Sequence, residues 1–191
     1  PPILTPGVQV SPTWAPFTQI LPCKRCPQGM LINVNDQFQM DAISKYGEYS
    51  DGEVRLWEDL LLPEDVVVEV GGNMGVHTVP LAMLAKEVYS FEPQRLMFQI
   101  LTGNIALNSL HNVTTLNMAV GDRMDVVEVP VLDPYKKQSY GSLEIDKVGM
   151  KGEGVQMITL DSLNLDRLDL LKLDCEGCEL KVLQGGVKTI M

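Results

Sequence analysis

The stretch VVVEVGGNMGVHT, residues 66–78, decides the fold. A run of valines takes in one acid, Glu69, and ends in Gly71, Gly72 and Gly75. A continuous apolar run of this length is the pattern of a strand covered on both faces. Glycines directly after it let the chain turn sharply and bring bare backbone close to a ligand. HTVPLAMLA then reads as a helix, provided Pro80 falls in its first turn, where a missing amide hydrogen costs nothing.

Downstream the rhythm repeats. EVYSF (87–91) is a second strand, and QRLMFQILTGNIALNSL (94–110) a helix with Leu96, Ile100, Leu101, Ile105 and Leu107 on one broad side. NVTTLNMAV (112–120) is a third strand. DVVEVPVLD (125–133) and GSLEID (141–146) look like antiparallel strands of an insertion, with VQMITL (155–160) able to pair with them. LDSL (160–163) starts a short helical turn, LDLLKLD (168–174) is another buried strand, and CELKVLQGG (178–186) a helix that Gly185 and Gly186 disturb or end. Strand–helix alternation of this kind predicts an α/β fold with a doubly wound, mostly parallel sheet and right-handed crossovers. Residues 46–191 form this Rossmann-like unit, with no C-terminal strand read after the helix that closes the pattern.

Upstream, residues 1–45 read as a Pro-rich arm with a possible hairpin. Residues 1–28 show no clear periodicity, and Trp14 and Phe17 argue that the arm docks rather than floats. MLINVNDQFQM (30–40) partly alternates, as a strand or hairpin would. SDGEVRLWEDLL (50–61) opens on the Ser/Asp of a helix N-cap and carries Val54, Trp57, Leu60 and Leu61 on one side before Pro63.

Composition narrows the function. The 191 residues are 45% hydrophobic and 21% charged, a globular composition, and no apolar run reaches the roughly 18 residues of a membrane helix. The reading is therefore a soluble or peripheral protein, with the compartment, cytoplasmic or organellar, left open. With 15 Lys+Arg against 25 Asp+Glu, the net charge of −10 disfavours nucleic acid as a partner. The opening on PPILTPGVQV, without Met, looks like a processed, trimmed or partly recorded chain. Four cysteines form two CxxC pairs, Cys23/Cys26 and Cys175/Cys178. A zinc site shared by all four thiolates is the less favoured reading and no metal is assigned. PCKRCP alone fits a turn with free thiols, a disulfide or a half-site shared with a partner.

In an open α/β sheet the ligand sits outside the carboxyl ends of the strands. Those ends are Glu69, Glu92, the 119–122 stretch with Asp122, and Asp174, and all carry acid. The glycine spacing is not that of a dinucleotide fingerprint. A pyrophosphate wants positive potential, whereas one carboxylate at roughly 4 Å would repel it by up to about 4 kcal/mol at an effective dielectric near 20. S-adenosylmethionine reverses that sign: it brings ammonium and sulfonium groups, a ribose and an adenine, but no phosphate. Glu92 can take both ribose hydroxyls, Asp122 the adenine amino group, and Gly71 and Gly75 the close backbone approach.

Together VVVEVGGNMGVHT, FEP, NIALNSLHNVTTLNMAVGD, TLDSL and LLKLDCEGCELKVLQGG resemble the FkbM-family methyltransferases of the class I, Rossmann-like fold, and YGEYSDGEVRLWEDLLLPEDVVVEVGGN resembles the segment leading into that domain. The resemblance runs from about Tyr46 to about Ile190. It implies S-adenosylmethionine as cofactor and methylation of hydroxyl groups on sugars or natural products, so a small-molecule or glycan acceptor. The departures are Glu69 where Asp is usual, Gly72 where Ala is usual, and Cys175 and Cys178 where small apolar residues are common.

The expected cofactor set is Glu69, Gly71, Asn73, Gly75, His77, Glu92, Asp122 and Asp174, with His77 toward the cofactor carboxylate. Asp174 and Glu176 are the candidate catalytic pair, Asp174 near the methyl group and Glu176 as acceptor binder or base. Glu176 and Glu179 also fit as helix N-terminal acids. Two alternatives stay open: a methyltransferase-like structural subunit without catalysis, and a nucleotide-binding oxidoreductase. The first follows from the edge at 169–174, which proteins avoid leaving bare; further chain, the arm or a protein partner would cover it.

Overall fold

The computed structural model describes residues 16–141 and 152–191. Its N-terminal part departs from the expected arm. Thr18–Cys23 (β1) and Cys26–Asn33 (β2) pair as an antiparallel hairpin whose two-residue turn is Lys24-Arg25. Prolines hid this periodicity: Pro22 sits at a register irregularity between Leu21 and Cys23, a bulge where a strand tolerates it. Phe17 does dock, against the core that the hairpin joins, with its ring edge-on to Tyr135 at 5.6 Å. Trp14 lies outside the described residues.

The expected strand through residue 40 stops at Asn33. Asp36 Oδ1 accepts from the amides of Phe38 and Gln39, at 3.0 and 2.6 Å, and starts a helix instead, Gln39–Tyr46 (α1). The next helix, Asp51–Leu60 (α2), lies where its pattern placed it, but Ser50 does not cap it. Ser50 sits at φ 51 with no side-chain cap, and Asp51 is engaged by Arg25 and Arg55, each at 2.8 Å. Val54 and Trp57 are buried; Leu60 is exposed.

Val66–Val70 (β3) divides its side chains between two apolar layers, as strand alternation requires. Val67 packs with Val54, Trp57 and Leu81 on one face; Val68 and Val70 pack with Phe91, Val120 and Leu160 on the other. The crossovers are Thr78–Leu84 (α3), with Pro80 in its first turn, and Arg95–Leu107 (α4). They deliver Glu87–Phe91 (β4) and Val113–Leu116 (β5). With Leu170–Leu173 (β9) these make a four-stranded parallel sheet in the order β5-β4-β3-β9.

The stretch 112–120 is not one strand. At Asn117 the side chain donates to the carbonyls of Glu92 and Pro93, and the chain turns out of the sheet. Ala119–Gly121 (β6) joins a second sheet, ordered β6-β8-β7, with Asp125–Pro130 (β7) and Gly152–Thr159 (β8). The pairing of β7 with β8 is antiparallel, as expected; GSLEID beyond Gly141 lies outside the described residues. A 3-10 turn (Leu160–Leu163), then Glu179–Gln184 (α5) and Val187–Ile190 (α6), complete the order.

Two buried asparagines, Asn104 in α4 and Asn108 at its C-cap, explain where the hairpin goes. Asn104 accepts from the Leu31 amide and donates to the Leu31 and Met74 carbonyls; Asn108, one turn on, accepts from Gln28 and donates to Gly29. These bonds satisfy an edge strand that the hairpin would otherwise leave open. The described part of the arm thus lies on α4, not along β9, which among the described strands pairs with β3 alone. Among the described residues, no helix is long and apolar enough to cross a membrane.

Candidate functional site

Gly71 fixes the centre. It turns the chain at φ +92, and a Cβ there would stand 2.0 Å from the Asp174 carbonyl oxygen, so loop β3–α3 and strand end β9 touch backbone to backbone. The amides of Gly71 and Gly72 both donate to the Phe91 carbonyl, at 2.9 Å, which ties in the end of β4. Three strand ends thereby converge. Around them opens a crevice with two halves that share Gly71, Glu92, Gln94, Gly141, Asp174 and Glu176.

One half is apolar. Val70, Met118, Ala119, Val120, Val129 and the two cysteines of the DCEGCE turn line a space of about 490 Å³, open mouth included. The other half is polar, about 660 Å³ on the same basis, and Asp36, Gln39, Tyr49, Asn73 and His77 face it. Among the described residues, no Lys or Arg lines either half, while Asp36, Glu92, Asp174 and Glu176 do.

Glu92 stands at the junction, 3% exposed. Its Oε2 accepts from the Asn73 amide at 2.8 Å and its Oε1 from the Gln94 amide at 2.7 Å. Burial nonetheless raises its pKa to about 7, against the lowering effect of those two amides. His77 is driven the other way. Burial, and next Lys172, lower it to about 4, so its imidazole is neutral at pH 7. The ring lies edge-on to Trp57 at 5.1 Å, with Nε2 3.3 Å from Glu53. Tyr49 is raised above its ordinary value by burial and then by Asp174.

Three buried atoms of the polar half have no hydrogen-bond partner: Gln39 Oε1, Asn73 Oδ1 and His77 Nε2, whose approach to Glu53 lacks hydrogen-bond alignment. A buried polar atom without a partner costs roughly 1–3 kcal/mol, so such a cluster marks where a ligand's polar groups fit.

The expected site residues fall into three groups. Gly71, Asn73, His77, Glu92, Asp174 and Glu176 meet at the crevice. Gly75 lies behind it, at φ +88 with its missing Cβ facing Leu101, and serves the close packing of α4. Glu69 and Asp122 are elsewhere. Glu69 is fully buried on the same strand face as Val67, where Oε2 accepts from the hydroxyls of Thr78 and Ser90 and Oε1 lies 3.4 Å from Lys172 Nζ. Its longer side chain reaches under the glycine loop, into a buried network. That network touches the crevice through Lys172, whose Nζ also lies 3.7 Å from Asp174. Asp122 follows β6, which belongs to the second sheet; it pairs with Arg123 at 3.2 Å and lines a different depression. The missed residues are Asp36, Gln39 and Tyr49; the polar run NVNDQFQ, with Asp36 as an Asx cap, could have pointed to the first two, and no local signal marked Tyr49.

At the DCEGCE turn, Glu176 and Gly177 both take positive φ, 50 and 93, and Glu176 lines both halves of the crevice. Glu179 Oε1 accepts from the amides of Cys175 and Gly177, at 3.3 Å each, and so holds the turn. Among the described residues, no three His, Cys, Asp or Glu side chains cluster as a metal site.

Comparisons with known proteins place this geometry. A family model described as methyltransferase FkbM domain matches residues 69–190. Among solved structures, the chain is similar to the methyltransferase FkbM from Methylobacillus flagellatus KT, at 15% identity and TM-score 0.50, over 81% of this chain and 42% of that one. It is also similar to TYW2 from M. jannaschii, solved in complex with AdoMet, at 23% identity and TM-score 0.41, over 53% and 43%. An rRNA methylase from Streptococcus thermophilus matches at 22% identity and TM-score 0.35, over 36% and 41%. The matches thus span about two-fifths of each of these solved relatives. No curated protein matches the chain.

Proposed function

Because the chain belongs to the FkbM methyltransferase family, we propose that it transfers a methyl group from S-adenosylmethionine to a hydroxyl of a small molecule or glycan. The observation that carries this reading is the crevice itself. It is apolar at one end and acidic at the other, with no Lys or Arg among its described lining residues. A dinucleotide phosphate would be repelled there, whereas a ligand with an aromatic ring, two hydroxyls and cationic groups matches each part.

The residues present fit that cofactor. The apolar half takes the adenine, between Val120 and Met118 and the DCEGCE turn. Glu92 keeps lone pairs beyond its two amide bonds for the ribose hydroxyls. The unpartnered Asn73 Oδ1, together with Asp174, accepts from the ammonium group, and neutral His77 supplies one N–H toward the carboxylate. Asp122, set apart after β6, has no part in this assignment, and Glu69 acts through Lys172 and Asp174 by positioning.

When bound, the cofactor supplies a methyl carbon activated by its sulfonium, so alignment does most of the work. Asp174 and Glu176 face both halves of the crevice. In this reading Glu176 orients the acceptor hydroxyl and takes its proton, while Asp174 fixes the cofactor side. Transfer of a labelled methyl group from S-adenosylmethionine into polyol and glycan pools tests the proposal. A labelled product that resists mild acid and base, with its methyl placed on an ether oxygen by NMR, supports the proposal; label on nitrogen or carbon alone overturns it.

A further inference from the structure

Away from the crevice, the hairpin tip holds a second piece of chemistry. Cys23 and Cys26 are register partners across the two-residue turn Lys24-Arg25, and both are free. The ends of such a turn lie within roughly 7 Å at Cα, which covers the span a disulfide needs. Their side chains already touch. Cys26, 2% exposed, donates its thiol hydrogen to Cys23, which is only partly buried. That bond is the main reason the Cys23 thiol falls to about 7, with the amides of Arg25 and Cys26 assisting. The same bond and burial hold Cys26 protonated.

The surroundings fix this pair in place. Lys24 bonds Glu48, and Arg25 bonds Glu48, Asp51 and Glu58, so the tip is clamped onto α2. Of these charges, Glu48 opposes the thiolate. The second CxxC is unlike the first. Burial and Glu179 push the Cys175 thiol up to about 12, so it holds almost no thiolate at neutral pH.

We propose that Cys23 and Cys26 form a redox-active dithiol that peroxide oxidises to a reversible intramolecular disulfide, whatever the fate of the methyl-transfer reading. The Cys23 thiolate attacks one peroxide oxygen; an S–O bond forms, the O–O bond breaks, and hydroxide leaves to become water. Cys26 sulfur then attacks Cys23 sulfur, losing its proton. The S–S bond forms, the S–O bond breaks, and a second water leaves. Overall, two thiols and one hydrogen peroxide give one disulfide and two waters.

Hydrogen peroxide at a few equivalents, followed by intact-mass measurement and peptide mapping of the unmodified protein, tests this. A loss of about 2 Da mapped to a Cys23–Cys26 crosslink, restored by dithiothreitol, is expected. The rate should rise with pH and reach half its plateau near pH 7, the value for Cys23. Iodoacetamide should label Cys23 roughly tenfold or more faster than Cys175 at pH 7. Cys26→Ser should stop at a sulfenic or sulfinic adduct on Cys23. Over-oxidation of Cys23 without a crosslink in the unmodified protein would overturn the proposal. So would a Cys175–Cys178 crosslink forming first.

Discussion

The two halves of the crevice come from different parts of the chain. Every described residue of the apolar half lies between Val70 and Cys178, inside the span of the family match. The polar half adds Asp36, Phe38, Gln39 and Tyr49, all from the segment before that span. The difference teaches a division of labour. In the proposed reading the shared family segment holds the ring and the ribose, while residues 36–49, from the turn after β2 to the loop after α1, form the wall where a particular ligand end or acceptor is chosen.

That comparison can be broken at its hinge. Gly71→Ala would press a Cβ onto the Asp174 carbonyl at positive φ. Both halves should fail together, with cofactor binding abolished and stability lowered by about 2–4 kcal/mol in denaturant titration. Retention of binding would separate the strand ends from the site.

Next in size is Glu92→Gln at the junction. Losing a charged acceptor should weaken S-adenosylmethionine by roughly tenfold to a hundredfold. The pH dependence carries its own sign. Burial raises Glu92 to about 7, so the folded chain is favoured with Glu92 protonated and loses that stability as pH climbs from the ordinary carboxylate range through about 7. A cationic ligand prefers the ionised form, so its affinity should improve roughly tenfold between pH 6 and pH 8. Glu92→Gln should flatten that profile in calorimetry.

The halves can then be told apart with fragments. Asn73→Ala should weaken S-adenosylmethionine by roughly tenfold and leave adenosine binding within about twofold, because it touches only the polar half. Met118→Asp should weaken both ligands alike. Equal effects of both variants on both ligands would erase the distinction. The smallest effect is expected at Asp122, which pairs with Arg123 outside both halves; Asp122→Asn should change affinity by less than about twofold.

Much of this was legible in the residues. VVVEV announced a strand covered on both faces, and its two layers follow from parity alone. The same parity puts Glu69 beside Val67 rather than toward the crevice, a consequence that reading the strand-end acids as one set overlooked. Glu92 and Asp174 needed only their strands' ends. The hairpin was only half legible: residues 30–40 suggested a strand or hairpin, but its first strand stayed hidden because Pro22 occupies a bulge that interrupts the alternation, and the bonds that seat it come from Asn104 and Asn108, more than 70 residues away. Asp122 lies outside the crevice for a related reason. Nothing local in NVTTLNMAV says that Asn117 will spend its amide on the Glu92 and Pro93 carbonyls and send the chain into a second sheet.

The central claim is one of charge: this crevice suits a cationic adenosyl ligand and repels a phosphorylated one. Isothermal titration of the purified protein at pH 8 with S-adenosylmethionine and, in parallel, with NAD tests it most directly. Micromolar binding of the first with no measurable heat from the second is expected. Tighter binding of NAD, or a folded protein that takes up neither, would contradict it.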